Sequence, residues 1–110
     1  MQPLANLHGK IMPLDEVTIS PLDRGFLFGD AVYEVLRIYK GKPWLEAEHF
    51  DRFERSLREI RIAGVDMTRM RQRMHETIRA GGFLESPVYL QVTRGAAPRK
   101  HAFPKDAIPL

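Results

Sequence analysis

The spacing of apolar positions changes along the chain and divides it into strands and helices. "LANLHGKIMP" holds two short apolar runs about His8-Gly9, which predicts a hairpin whose second run is kept at an edge by Pro13. "EVTI" (16–19) predicts a further short strand, and "SPLDRG" supplies Pro21, Asp23 and Gly25 as turn residues. "FLFGD" is too short, and too interrupted by Gly29, for more than a single helical turn. "AVYEVLRIY" is the clearest strand, rich in β-branched and aromatic residues and closed by Lys40-Gly41-Lys42. Val32, Glu34, Leu36 and Ile38 point to one side of it, and Tyr33, Val35, Arg37 and Tyr39 to the other. One face can pack on helices while the other lines a pocket.

From Glu46 to Ile62 the period becomes helical, with Phe50, Phe53, Leu57 and Ile60 recurring every three or four residues and Ala63-Gly64 as the stop. A second helix runs from about Asp66 or Thr68 to Ala80, with Asp66 as N-cap and Gly81-Gly82 beyond its end. Its Met67, Met70, Met74 and Ile78 form a stripe suited to filling a core. "PVYLQVTR" restores the period of two. Strands, two helices and a strand predict an α+β domain, with both helices on one face of a largely antiparallel sheet.

At 110 residues and 44% hydrophobic content, the chain is one domain's worth and small for an enzyme with a cofactor cleft. The net charge of +3 comes from interspersed signs, which argues against nucleic acid as a partner. Cysteine is absent, which excludes disulfides and a thiol nucleophile in these residues. No signal-peptide pattern occurs, nor an apolar run near the roughly 20 residues of a membrane span. The expectation is a soluble, cytoplasmic protein.

Chemistry concentrates in two places. "RGAAPRKHAFP" (94–104) follows the last strand and carries Arg94, Arg99, Lys100 and His101 among breakers, so it predicts an ordered loop leaving a sheet edge. It reads either as a solvated basic turn or as an anion clamp. His49 and Arg52 share a side of the first helix, beside its apolar stripe. They fit an exposed polar face with Glu48, Asp51 and Glu54 as partners, or an arginine aimed into a cleft to hold phosphate, and spacing does not choose. His8, His49, His75 and His101 are scattered and predict no metal site. No phosphate-cradling glycine loop and no nucleophile elbow at Ser20, Ser56 or Ser86 is present.

"LDRGFLFGDAVYEVLRIYKGKPWLEAEHFDRFERSLREIRI" and "VYLQVTRGAAPRKHAFP" together resemble the N-terminal domain of class IV, fold-type IV pyridoxal-phosphate enzymes over residues 6 to 104. "DRGFLFGD", "YEVLR", "EHFDR" and "RGAAPRKHAFP" occur in that family's order and separations, and the last is most similar to the D-amino acid aminotransferase branch. The resemblance implies that Arg52 binds the phosphate of pyridoxal 5'-phosphate and that Tyr33 and Val35 lie at the substrate side of the cofactor. It further implies that Tyr89, Arg99 and His101 form a substrate-carboxylate trap reaching into the partner's active site in a homodimer, with Lys100 facing solvent. Gly95, Pro98 and Pro104 would be structural.

The implied activity is transfer of an amino group between a D-amino acid and a 2-oxo acid. Branched-chain aminotransferase, aminodeoxychorismate lyase and a non-catalytic domain retaining the fold are the alternatives. The Schiff-base lysine of this family belongs to a C-terminal domain, and Lys10, Lys40, Lys42, Lys100 and Lys105 match none of its positions. Residues 1–110 are therefore expected to be an incomplete N-terminal domain, with the catalytic lysine beyond Leu110.

Overall fold

The computed structural model describes residues 2–110. Strands β1 (Leu4–Leu7) and β2 (Lys10–Pro13) pair antiparallel as the expected hairpin, with Leu7 opposite Lys10. His8 (φ 53°) and Gly9 (φ 98°) take the two left-handed positions that a tight two-residue turn requires.

The strand expected at 16–19 does not form. Glu16 closes a 3₁₀ turn (Leu14–Glu16), the Val17 amide is used on the Leu14 carbonyl, and among the described residues no neighbouring strand offers 17–19 a ladder. Helix α1 (Arg24–Phe28) is the single turn anticipated, capped by the Asp23 carboxylate on the Gly25 amide and ended at Gly29.

Strand β3 (Ala31–Tyr39) occupies the full predicted run, and the short β4 (Lys42–Pro43) turns back on it. Helices α2 (Glu46–Glu59) and α3 (Met67–Gly81) follow, then β5 (Ser86–Thr93), giving an antiparallel sheet ordered β4-β3-β5. The α3 boundaries agree with the expectation, Asp66 accepting from the Arg69 amide.

Helix α2 stops short of Ile62 and without a glycine. Arg61 takes the left-handed conformation (φ 60°), the Arg61 amide returns to the Arg58 carbonyl, and the Ile62 amide reaches the Leu57 carbonyl. This early turn drops Ile62 into the core, which offsets the roughly 1–2 kcal/mol cost of a left-handed non-glycine residue.

Both helices cover one face of the sheet, as the pattern required. Val32, Leu36 and Ile38 of β3 and Leu90 and Val92 of β5 meet Phe50, Phe53 and Leu57 of α2 and Met74 and Ile78 of α3. The methionine stripe is core, with Met67 and Met70 packed at its margin. Asn6 of the hairpin ties to the Arg73 carbonyl and the Thr77 hydroxyl of α3.

The opposite sheet face is open. Tyr33, Val35, Tyr39 and Tyr89, with nearby Trp44, are each between 47% and 63% exposed. An apolar surface of this kind predicts association. These 110 residues, produced alone, should sediment as more than monomer and bind a hydrophobic dye. A dye-silent monomer at high concentration would contradict this.

Candidate functional site

Strand β3 alternates Tyr33, Glu34 and Val35, so a carboxylate falls on the helix-facing side between Val32 and Leu36. Its side chain is 3% exposed. A buried, unpaired carboxylate would be costly, and the chain answers with α2. Arg52 donates from Nε to Glu34 Oε2 at 2.7 Å and from Nη2 to Oε1 at 2.7 Å, while His49 Nδ1 lies 2.7 Å from Oε1.

The hydrogen bond from Arg52 holds the Glu34 carboxyl below the usual carboxylate range, outweighing burial, with His49 adding to the effect. The same bond raises Arg52 above the ordinary guanidinium value. Arg52 thus pairs with a strand carboxylate rather than with Glu48, Asp51 or Glu54. Glu54 instead lies 3.8 Å from Arg58.

Arg52 remains 58% exposed, and its Nη1 has no hydrogen-bond partner among the described residues. Its side chain, with Leu45, Glu48 and His49, lines a shallow depression of about 290 Å³. A planar donor edge held at such a place can take a phosphate or carboxylate.

The loop after β5 is pinned at several points. It leaves at Thr93 and returns at Leu110, whose amide and carbonyl both pair with those of Thr93. Gly95 has φ 102°, and a side chain there would strike the Ile108 carbonyl. The Thr93 hydroxyl donates to Asp23 Oδ2 at 2.9 Å, and the Arg24 amide donates to the Gly95 carbonyl at 2.9 Å.

The buried Arg24 side chain runs under the loop, donating to the carbonyls of Lys100 (2.6 Å) and His101 (3.3 Å) and to Asp30 Oδ2 (2.8 Å). Arg94 leaves the cationic set altogether. It is buried, donates to both oxygens of Asp30, and caps α2 by donating to the carbonyls of Ile60 (2.7 Å) and Arg61 (3.0 Å).

The outward cations of the loop are Arg99, Lys100 and His101, all exposed. Arg99 and His101 both rest on the Phe28 ring of α1, the guanidinium carbon 5.4 Å and the imidazole 5.4 Å from its centroid. Lys100 contributes its carbonyl to Arg24.

On the open sheet face Tyr33 and Tyr89 stack at 5.5 Å and 19°, and Val35 lies directly opposite Tyr89 in the ladder. The Tyr89 hydroxyl donates to Gln91 Oε1 at 2.7 Å. Tyr33, Val35 and Tyr89 are therefore together, and Arg99 is with His101. Among the described residues no hydrogen bond or ring contact joins these two groups to each other or to Arg52.

Sequence reasoning missed Glu34, Phe28 and the Asp23, Arg24 and Asp30 pins. Glu34 carried a legible sign, as a charge at an otherwise apolar strand parity.

Comparison with known proteins fits this geometry. The sequence pattern of amino-transferase class IV matches residues 31–110. The D-alanine aminotransferase of Staphylococcus haemolyticus is 37% identical over 93% of this chain, which spans 36% of that relative's length. The 4-amino-4-deoxychorismate lyase structure from Pseudomonas aeruginosa superposes with a TM-score of 0.76 at 33% identity, covering 84% of this chain and 33% of that one. A hypothetical aminotransferase from Mycobacterium tuberculosis, in its pyridoxal-phosphate-bound form, shares the fold, with a TM-score of 0.78 at 21% identity over 96% of this chain and 36% of its own. With the pattern matched over most of its length, the chain belongs to the class IV aminotransferase family, whose enzymes use pyridoxal phosphate.

Proposed function

We propose that these residues are the N-terminal part of an enzyme that uses pyridoxal 5'-phosphate to move an amino group between a D-amino acid and a 2-oxo acid. The observation that carries this reading is the pinned loop: Arg99 and His101 are set side by side on Phe28 while Arg24 fixes the backbone beneath them. A guanidinium presented at a fixed angle suits a carboxylate that must not rotate during reaction. The similarity to D-alanine aminotransferases supports the D-amino acid.

The residues fit the cofactor, because Arg52 offers a held donor edge over a depression open enough for a phosphate. Bound pyridoxal phosphate supplies an electron sink for the charge left when the substrate's α-proton departs. Arg52 anchors its phosphate, Tyr33 and Val35 border the substrate side, and Tyr89, Arg99 and His101 take the substrate carboxylate. In a homodimer the loop serves the neighbouring subunit. The lysine that receives the proton comes from the rest of the polypeptide.

The full-length protein, given D-alanine and a 2-oxo acid, should transfer the amino group, and the L-enantiomer should be a poor donor. The 33% identity to a lyase favours one second reading, and consumption of 4-amino-4-deoxychorismate without amino transfer would establish it in place of the first. Arg52→Ala should raise the cofactor dissociation constant by roughly 10- to 150-fold, the scale of a hydrogen bond to a charged group. Cofactor absorbance after dialysis reports it, and unchanged retention would return Arg52 to an ordinary exposed helix face.

A further inference from the structure

We propose that Glu34 is a positioning residue for phosphate binding, fixing from inside the sheet the guanidinium plane that Arg52 turns to the cofactor. The proposal rests on the phosphate role given to Arg52 above. Glu34 stands on β3, is 3% exposed, and is gripped from the side by His49 at 2.7 Å, so its carboxylate is the immobile member of the cluster. Arg52 is the mobile one: it is 58% exposed on the surface of α2, with a long flexible stem. Two bonds of 2.7 Å lock its Nε and Nη2. Of the five N–H groups on a guanidinium, this leaves both on Nη1 and one on Nη2, which is the edge that grips two oxygens of a phosphate.

Charge and geometry make opposite predictions. As a negative charge beside the anion site, Glu34 repels phosphate, and neutralising it would tighten binding. As a positioning residue it holds the donor edge in place, and neutralising it weakens binding. The exposure of Arg52 decides for geometry, because solvent screens repulsion at the open edge but does nothing to restore a lost orientation. His49 completes the arrangement, since without a third bond the carboxylate could rotate on its own stem and carry Arg52 with it.

The test uses the full-length protein and measures dissociation constants of pyridoxal 5'-phosphate and of pyridoxal, which lacks the phosphate. Glu34→Gln should weaken pyridoxal 5'-phosphate by about tenfold, the scale of coupling within one hydrogen-bonded network, and leave pyridoxal unchanged. In an Arg52→Ala background the same change should have no further effect. Glu34→Met removes the carboxylate without placing a new polar group in the sheet, though His49 Nδ1 loses its partner, and it should give the same result if the glutamine variant folds poorly. Equal or tighter binding of pyridoxal 5'-phosphate by the folded Glu34 variants would overturn the proposal, as would an equal loss for pyridoxal. If Arg52→Ala itself keeps the cofactor, the underlying phosphate role fails and takes this proposal with it. If Arg52→Ala loses cofactor while the Glu34 variants do not, only the positioning role fails.

Discussion

Asp30→Ala is expected to destabilise the fold by about 3–5 kcal/mol, the cost of removing one partner from a buried ion pair. Asp30 Oδ2 accepts from Arg24 Nε at 2.8 Å and from Arg94 Nε at 2.7 Å, and Oδ1 accepts from Arg94 Nη2 at 3.2 Å. The Arg24 and Arg94 side chains are 4% and 9% exposed, so alanine would leave two guanidinium groups away from water with no counter-charge. Denaturant unfolding measures the loss, and a change below about 1 kcal/mol would mean that solvent reaches the arginines freely.

The pH dependence follows from the same contacts. Burial alone would push the Asp30 carboxyl up, but the hydrogen bonds and charges of Arg94 and Arg24 outweigh it and hold the group below its usual 3.8. A carboxylate depressed in the folded state contributes stability that is present above its unfolded value and lost as pH falls through the folded one. The wild-type advantage over Asp30→Ala should therefore be level near pH 7 and shrink at and below about pH 4. Glu34, also depressed, adds a smaller acid loss of the same sign to the stability of both proteins, since its main partner is exposed, and so cancels from their difference.

Arg99→Ala in the full-length protein should raise KM for D-amino acids by roughly 10- to 150-fold, in line with loss of a charged hydrogen bond. The proposed carboxylate contact would persist from bound substrate through the transition state, so kcat should fall less. Cofactor retention should not change, and Lys100→Ala should do little, because that side chain is exposed and only its carbonyl is used. An unaltered KM would remove Arg99 from substrate binding. A mixed dimer of an Arg99→Ala subunit with one lacking its cofactor-linked lysine should retain one working site if the loop acts across the interface. Activity as low as the Arg99→Ala homodimer would show that each loop serves its own subunit.

The parts of the fold that repeat were readable from the sequence. β3 and the two helices carry periods of two and of three to four, and burial imposes those periods. Residues 16–19 had strand composition but no partner, and pairing is a property of the whole sheet. The end of α2 was misplaced because arginine, not glycine, makes the left-handed turn, and the burial of Ile62 that stabilises it is a tertiary fact. Arg94, Arg99 and Lys100 look alike as letters. Their separation into one buried pin and two outward cations depends on Asp30, Arg24 and Phe28, which lie far back along the chain.

Arg94 also sets a distance. The same guanidinium closes the carbonyl end of the helix that bears Arg52, holds Asp30 at the entrance to β3, and lies 3.9 Å from the centre of the Phe103 ring within the loop that bears Arg99. The segments that bear Arg52 and Arg99 are thereby gauged from one buried joint. Tyr33, Val35 and Tyr89 take no part in that joint and project from the open side of the sheet. Side chains there can be exchanged while the gauge keeps its length, so under the proposed substrate role of this face selectivity would drift on a frame that does not.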